Sequence, residues 1–353
     1  MRNPIKNSSG TAASGDQALP LSVAEPRFAA LATALKLLSV GPALILVLLI
    51  VALSFSSPYF ATARNVSNIL AQTAVISVVA MGQHLVILTR GIDLSVGSNL
   101  ALASVLGALC FHAGGGSFAV VAVMVASGAL VGAINGGFYV FGRLPHPFII
   151  TLATLSIAKG LALELADGRA IPGMPAAISA LGQDAFAGLP GSVLVVLGVA
   201  AILFIVTRTM VWGRWIYAVG GGPIAAVRMG IPVSWVLVST YIIAGTCAGV
   251  GAVILAGRTD AGSPLFGNLL ELDTIAAVII GGASFLGGRG HLGNALIGAI
   301  MIGVIRNALN LLNVNIFFQL IVIGVVIVVA VEADVLRNYL EGRVRVFQAG
   351  RAQ

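Results

Sequence analysis

The chain has 353 residues, 58% of them hydrophobic and only 9% charged, with a net charge of +7. A soluble domain needs roughly a quarter of its residues charged to cover its surface, so this composition excludes one. In so apolar a chain, basic residues mark cytoplasmic loops rather than a nucleic-acid footprint, and the 44 scattered glycines, which follow no collagen-like period, suit helices that pack closely in a bilayer.

Residues 1–34 are polar and rich in Ser, Ala and Pro, and are read as a disordered cytoplasmic arm. The apolar run 35–55 exceeds a signal-peptide core of ~7–15 residues. It is read as a retained first helix, since ~20 apolar residues cross a bilayer. Nine further spans follow at 66–88, 94–112, 118–141, 148–165, 193–207, 234–256, 272–286, 292–312 and 316–331. The third, sixth and eighth are short or broken by glycine. Nothing alternates as the ~10-residue strands of a membrane barrel would. The expected fold is therefore all-α and polytopic, with about ten transmembrane helices.

Charge tests this count. With the N-terminus inside, fourteen Lys and Arg fall on the cytoplasmic side and only Arg64, Arg169 and Arg258 on the other. That asymmetry predicts cytoplasmic N- and C-termini. The expected organisation is the arm 1–34, a membrane domain over 35–332 with a cytoplasmic loop at 208–232, and a cytoplasmic tail at 333–353.

GIDLSVGSNLALASVLGAL (91–109) has the same layout as ELDTIAAVIIGGASFLGG (271–288), an acid (Asp93, Asp273) and a hydroxyl (Ser95, Thr274) just before a short apolar helix. Five spans separate the copies, so they would run in opposite orientations, giving two inverted five-helix halves; chance likeness of apolar segments is the alternative. Gly128, Gly132 and Gly136 in the fourth span, and Gly245 and Gly249 in the seventh, lie on single helix faces and predict packing seams.

Catalytic and metal motifs are missing. No GxSxG or HExxH occurs, and no metal-ligand spacing joins Cys110 and Cys247 to His84, His112, His146 or His291. The cysteines are read as small buried hydrophobes. The glycine-rich GGASFLGGRG (281–290) lacks the GK[ST] ending of a phosphate loop, so the chain has no recognisable means of hydrolysing ATP. The loop RTMVWGRWIYAVGGGPIAAVRMGI (208–231) carries a basic, aromatic approach, a glycine turn at 220–222 and a short Ala-rich helix ending near Gly230. Such a helix is either a peg for a partner protein or an ordinary interfacial connection.

Six segments in order resemble the ribose-type permease subunits of bacterial ATP-binding cassette sugar importers. They are NVSNILAQTAVISVVAMGQHLVIL (65–88), GIDLSVGS (91–98), PFIITLATLSIAKG (147–160), GRWIYAVGGGPIAAVRMGI (213–231), ELDTIAAVIIGGASFLGGRG (271–290) and NALNLLNVNIFFQLIVIGVVIVVAV (307–331). The resemblance covers nearly everything after residue 35. It implies a multi-pass protein of the bacterial inner membrane with no catalytic site and no cofactor of its own, ATP and Mg being held by a partner ATPase. It further implies a periplasmic sugar-binding protein and a second permease copy, identical or related, as partners. The 220–230 segment becomes the element that fits a cleft in the ATPase, with Arg214, Gly220, Gly221, Ala225, Ala226, Arg228 and Gly230 as its coupling residues.

Three positions depart from the family's habit. Arg90 stands where a small residue often precedes GIDLS, Ile323 where many relatives carry lysine, and GRTDAGSP (257–264) places Arg258 and Asp260 at the predicted outer mouth. These bear on the substrate rather than the class. A polyol, a nucleoside or a sugar-like signal is an alternative cargo, and an ion-coupled secondary transporter an alternative mechanism.

A sugar path needs uncharged hydrogen-bonding groups. Asn68 and Gln72 lie one helical turn apart, Asn307 and Asn310 share a face, and Asn135, Thr154 and Gln319 add further groups. Each is a candidate for the path or for helix–helix hydrogen bonding. Lys159, Glu164 and Arg306 are ionisable groups within spans. Lys159 is read as a structural ion pair or carbonyl contact, while Glu164 and Arg306 lie near outer ends where they can snorkel. Asp93, Ser95, Glu271 and Asp273 are read as helix caps or gates, since a carboxylate suits the unpaired N–H groups at a helix start.

Overall fold

The computed structural model describes residues 42–182, 184–186 and 189–351. The predicted arm 1–34 and residues 35–41 of the first span lie outside them. The chain is almost wholly helical, with α1 (Pro42–Ser56), α2 (Ala63–Leu88), α3 (Val96–His112), α4 (Ser117–Phe141), α5 (Pro147–Leu165), a single turn α6 (Ala176–Ser179) and α7 (Gly191–Thr209). There follow α8 (Val211–Gly221), α9 (Pro223–Arg228), α10 (Val233–Thr259), α11 (Leu270–Ile280), α12 (Leu292–Leu311) and α13 (Ile316–Arg351). Strand is confined to two short antiparallel pairs, Ile171–Pro172 against Ala261–Gly262 and Asp184–Phe186 against Leu189–Pro190.

Every predicted span coincides with a helix. Seven of them (α2, α4, α5, α7, α10, α12 and the first part of α13) are long and apolar enough to cross a bilayer on those grounds alone, whereas α1 and α3 are shorter. Two boundaries shift. The eighth span, expected over 272–286, ends as α11 at Ile280, because Gly282 takes a left-handed conformation (φ 84°) that turns the chain out of the helix. The last span, expected to end at 331, runs on through the predicted tail as one 36-residue helix, with no Gly or Pro between Val325 and Glu341 to stop it.

Helix α2 is the axis of the bundle. Every residue from Thr73 to Leu88 is buried, and the helix packs against α7, α10, α11 and α12. The predicted glycine seams face each other, since α4 lies along α10 with Gly128 against the backbone of Gly245 and Gly249, and Gly132 against Tyr241. A Cβ on Gly128 would come within 2.8 Å of the Gly249 nitrogen. Lipid tails are as apolar as the helix faces, so this backbone approach supplies the dispersion contact that holds the pair together.

The two similar segments also meet. Leu88, at the end of α2, touches the end of α8, so α3 is entered from that end of the bundle through the non-helical stretch 91–95. Helix α10 starts beside α9 and is 27 residues long, about 40 Å, so α11 is entered from the opposite end. The starts of α3 and α11 come together where the backbone of Gly97 presses on that of Gly267, leaving no room for a Cβ on either.

Replacing Gly128 by Val forces α4 and α10 apart and is expected to cost ~1–3 kcal/mol, read as a lower melting temperature of the detergent-purified protein. Gly137→Val, where a side chain meets open space, is expected to leave melting unchanged; equal losses in both would remove the seam as the cause.

Candidate functional site

Three polar clusters sit among the helices. The first joins α3, α4 and α5. The Thr154 hydroxyl donates to the Asn135 side-chain oxygen at 2.7 Å, the Asn135 amide donates to the Ser95 hydroxyl at 2.8 Å, and Ser95 Oγ donates to the Asp93 carboxylate at 2.6 Å. The same carboxylate accepts the Ser95 backbone N–H at 2.9 Å, and Asn135 lies 3.4 Å from it. Ser95 Oγ both accepts and donates, and Asn135 accepts through its oxygen while donating through its amide, so the chain of buried groups is continuous from Thr154 to Asp93. Asp93, Ser95 and Asn135 are almost wholly buried.

The second cluster joins α11 and α12. The Arg306 Nη2 group meets both oxygens of Asp273 at 2.7 Å. The pair lines a small cavity of about 60 Å³, closed by Leu269 and Leu272 on one side and by Leu320, Ile323, Gly324 and Ile327 of α13 on the other. The two segments thus use their acids alike: each is held by a side chain on the following long helix, Asn135 in one and Arg306 in the other. The third cluster is made of amides. Asn65 and Asn307 exchange hydrogen bonds of 3.0 and 2.9 Å between α2 and α12, and Gln319 donates to Asn310 at 2.9 Å between α13 and α12.

This geometry revises several expectations. Asp273 does not precede its helix; it is the fourth residue of α11, whose N-cap position is Leu269, and its carboxylate goes to Arg306. Glu271 lies in the first turn, beside Gly97. Ser95 does occupy the N-cap position of α3, yet its hydroxyl bonds Asp93 rather than the helix. Arg306 does not snorkel freely, being tied to Asp273. Lys159 makes a carbonyl contact, donating to Pro264 at 2.7 Å. Glu164 is exposed. Asp260 holds the neighbouring loop through its carboxylate, which accepts the Ser179 hydroxyl at 2.6 Å and the Met174 N–H at 3.0 Å. Of the candidate path residues, Asn135, Thr154, Asn307, Asn310 and Gln319 are spent on these helix contacts. Asn68 is exposed and Gln72 half-buried, and neither has a hydrogen-bond partner among the described residues.

The predicted peg is a distinct structure. Gly222 closes α8 and opens α9 in one residue, and Gly230, with φ 76°, ends the turn that follows. Helix α9 stands out from the bundle, with Ile224 75%, Val227 61% and Met229 81% exposed, while Ala226 anchors it inside. Arg214, Ala225 and Arg228 are exposed, and Gly220 is buried against Leu88 and Gly288. Helix α8 is fixed by Trp212, donating to Ser239 at 2.7 Å, and by Tyr217, donating to the Gly290 carbonyl at 2.9 Å. Apolar side chains exposed on a short helix between basic residues form a surface that a protein partner can cover.

A family model for branched-chain amino acid transport system permease components matches residues 65–331. The chain belongs to this family. It is a multi-pass membrane permease and a transport subunit rather than an enzyme. Among its relatives, the D-allose transport system permease protein of Escherichia coli (strain K12) is 40% identical over 283 residues, 80% of this chain and 86% of the relative. The ribose import permease protein of Bacillus subtilis (strain 168) is 39% identical over 296 residues, 83% of this chain and 92% of the relative. The fructose import permease protein of Rhizobium meliloti is 35% identical over 304 residues, 83% of this chain and 84% of the relative. No solved structure matches the permease.

Sequence reasoning passed over Asn65, Tyr217 and Asp334, and noted Arg90 as a departure without assigning it a contact. Asn65 lies one turn before Asn68 and is the amide that turns inward. Asp334 accepts the Phe285 N–H at 3.2 Å and so ties α13 to the 281–290 loop. Its position beyond the apolar run gave no cue, because the contact joins residues far apart in the chain. Removing the central amide by Asn135→Ala takes the donor from the buried Ser95 hydroxyl, breaks the link to Thr154 and leaves Asp93 with one partner fewer, and is expected to destabilise the permease by about 1–3 kcal/mol. Thermal melting in detergent measures this; an unchanged melting temperature would mean that water or lipid replaces the network.

Proposed function

We propose that this permease is the membrane-spanning subunit of an ATP-binding cassette importer in the bacterial inner membrane, passing a neutral monosaccharide from periplasm to cytoplasm. The observation that carries the reading is the agreement among its relatives: those named for D-allose, ribose and fructose transport each resemble this chain over four-fifths of its length. ATP and Mg sit on a separate ATPase, whose cleft receives α9. A periplasmic binding protein delivers the sugar, and a second permease copy completes the path. Closure of the ATPase pair pushes α9 and switches the two inverted halves between outward and inward openings.

The polar groups support this division of labour. Asn68 and Gln72, whose amides are uncommitted among the described residues, are the path contacts. Asn135, Thr154, Asn307, Asn310 and Gln319 shape the path from behind by fixing the helices. The facing starts of α3 and α11, with Asp93, Ser95, Glu271 and Asp273, are the gates. Ion coupling is disfavoured because Asp273 is paired with Arg306 and Asp93 is enclosed by a hydroxyl and an amide, leaving no carboxylate relay among the described residues. The functional units are the membrane domain 35–332, with its coupling loop 208–232, and the cytoplasmic segments 1–34 and 333–353.

Uptake of labelled pentoses and hexoses by cells with and without this chain tests the reading. Chain-dependent uptake should stop when arsenate depletes ATP and survive a protonophore applied with ATP preserved; the opposite pattern would make the permease ion-coupled. Uptake confined to a polyol or nucleoside would keep the mechanism and replace the cargo. Asn68→Ala with Gln72→Ala should lower sugar uptake by roughly ten-fold at unchanged protein level, the loss expected for one or two sugar hydrogen bonds; normal uptake would remove both residues from the path.

A further inference from the structure

At the base of α9 three chain segments share one point. The Leu88 carbonyl, at the end of α2, accepts the Gly288 N–H at 2.8 Å. Gly220, one residue before the end of α8, lies against both Leu88 and Gly288 so closely that a Cβ has no room. Arg90 crosses this junction, donating from Nε to the Gly220 carbonyl at 2.6 Å and from Nη2 to the Gly221 carbonyl at 3.0 Å. Those are the last two carbonyls of α8, which the helix cannot satisfy internally. A guanidinium there meets the negative end of the helix dipole with two charge-assisted hydrogen bonds.

The backbone shows that the side chain is what this position retains. Arg90 has φ 66°, the left-handed conformation that suits glycine and disfavours arginine. An unfavourable backbone angle is thus held where glycine would fit without strain, and the compensation on view is the pair of bonds to α8. We infer that Arg90 is a positioning residue for energy coupling, carrying displacement of the α9 peg into the central helix α2. The inference rests on the ATP-driven reading above. Its mechanical basis is short and stiff. Gly222 joins α9 to α8 with no linker, Arg90 ties the end of α8 to the end of α2, and α2 is buried from Thr73 onward. At its far end α2 is hydrogen-bonded to α12 through Asn65 and Asn307. A push on α9 therefore reaches the core helix through two carbonyls rather than through a flexible loop. Tyr217 and Asp334 fasten the same junction to the Gly290 carbonyl and to α13, which keeps the glycine loop from yielding instead.

The test uses the whole importer in proteoliposomes, with its ATPase and sugar-loaded binding protein. Arg90→Gly meets the backbone requirement, so it removes the tie without adding strain, and Arg90→Lys keeps a charge but only a single donor group. The readout is sugar transported per ATP hydrolysed, measured beside the melting temperature of the purified complex. Arg90→Gly should melt at or above the wild-type temperature while transporting roughly five-fold less sugar per ATP, the lower range of a coupling free energy between sites. Arg90→Lys should fall between the two. A wild-type ratio in Arg90→Gly overturns the inference, and so does a reduced amount of complex whose surviving fraction couples normally, because that is what a purely structural arginine does. Wild-type transport that is indifferent to ATP sinks the importer reading, and the proposal with it.

Discussion

The close approach of backbones at glycine is the constraint on which this bundle depends. In a bilayer, apolar side chains gain nothing by leaving lipid for protein, so helices associate through dispersion at short range and through the few polar groups they share. Glycines provide that approach at several junctions among the described residues. They bring α4 onto α10, the start of α3 onto the start of α11, and the end of α8 onto the end of α2. Each contact has backbone on both sides, where a single methyl group would intrude.

The buried polar groups follow from the same setting. With no water at depth, an amide or carboxylate must find its partner within the protein. The Thr154–Asn135–Ser95–Asp93 chain, the Asn65–Asn307 exchange and the Asp273–Arg306 pair each do so between helices. They fix register where apolar packing alone would allow sliding. The acids of the two similar segments are held in matching fashion from the next long helix, which fits two halves built on one plan.

The end of the bundle that bears α9 is organised differently. Its apolar residues are exposed while its base is bonded into α2 and α13 through Arg90, Tyr217 and Asp334. On the proposed ATP-driven reading, an exposed docking surface and a base bonded into the bundle are both needed for work done elsewhere to reach the membrane.

Most of the architecture was legible in the residues. Bilayer thickness sets the length of an apolar run, and glycine spacing sets which helix faces touch, so all the predicted spans coincide with helices and the two glycine seams face one another. The short helix after the glycine turn was equally plain, because Gly222 and Pro223 punctuate the chain locally. The sequence could name polar residues at membrane depth but not sort them. Asn65 and Asn68 look alike on paper, yet one turn of α2 buries the first against Asn307 and leaves the second on the surface. Asp273 looked like a cap until α11 proved to start three residues earlier, with Arg306 opposite. Such outcomes depend on which faces meet, and that is decided only when distant helices pack. Local pattern therefore determined the elements and the family, while the tertiary structure decided the partners of each buried polar group and placed Arg90 at the root of the peg.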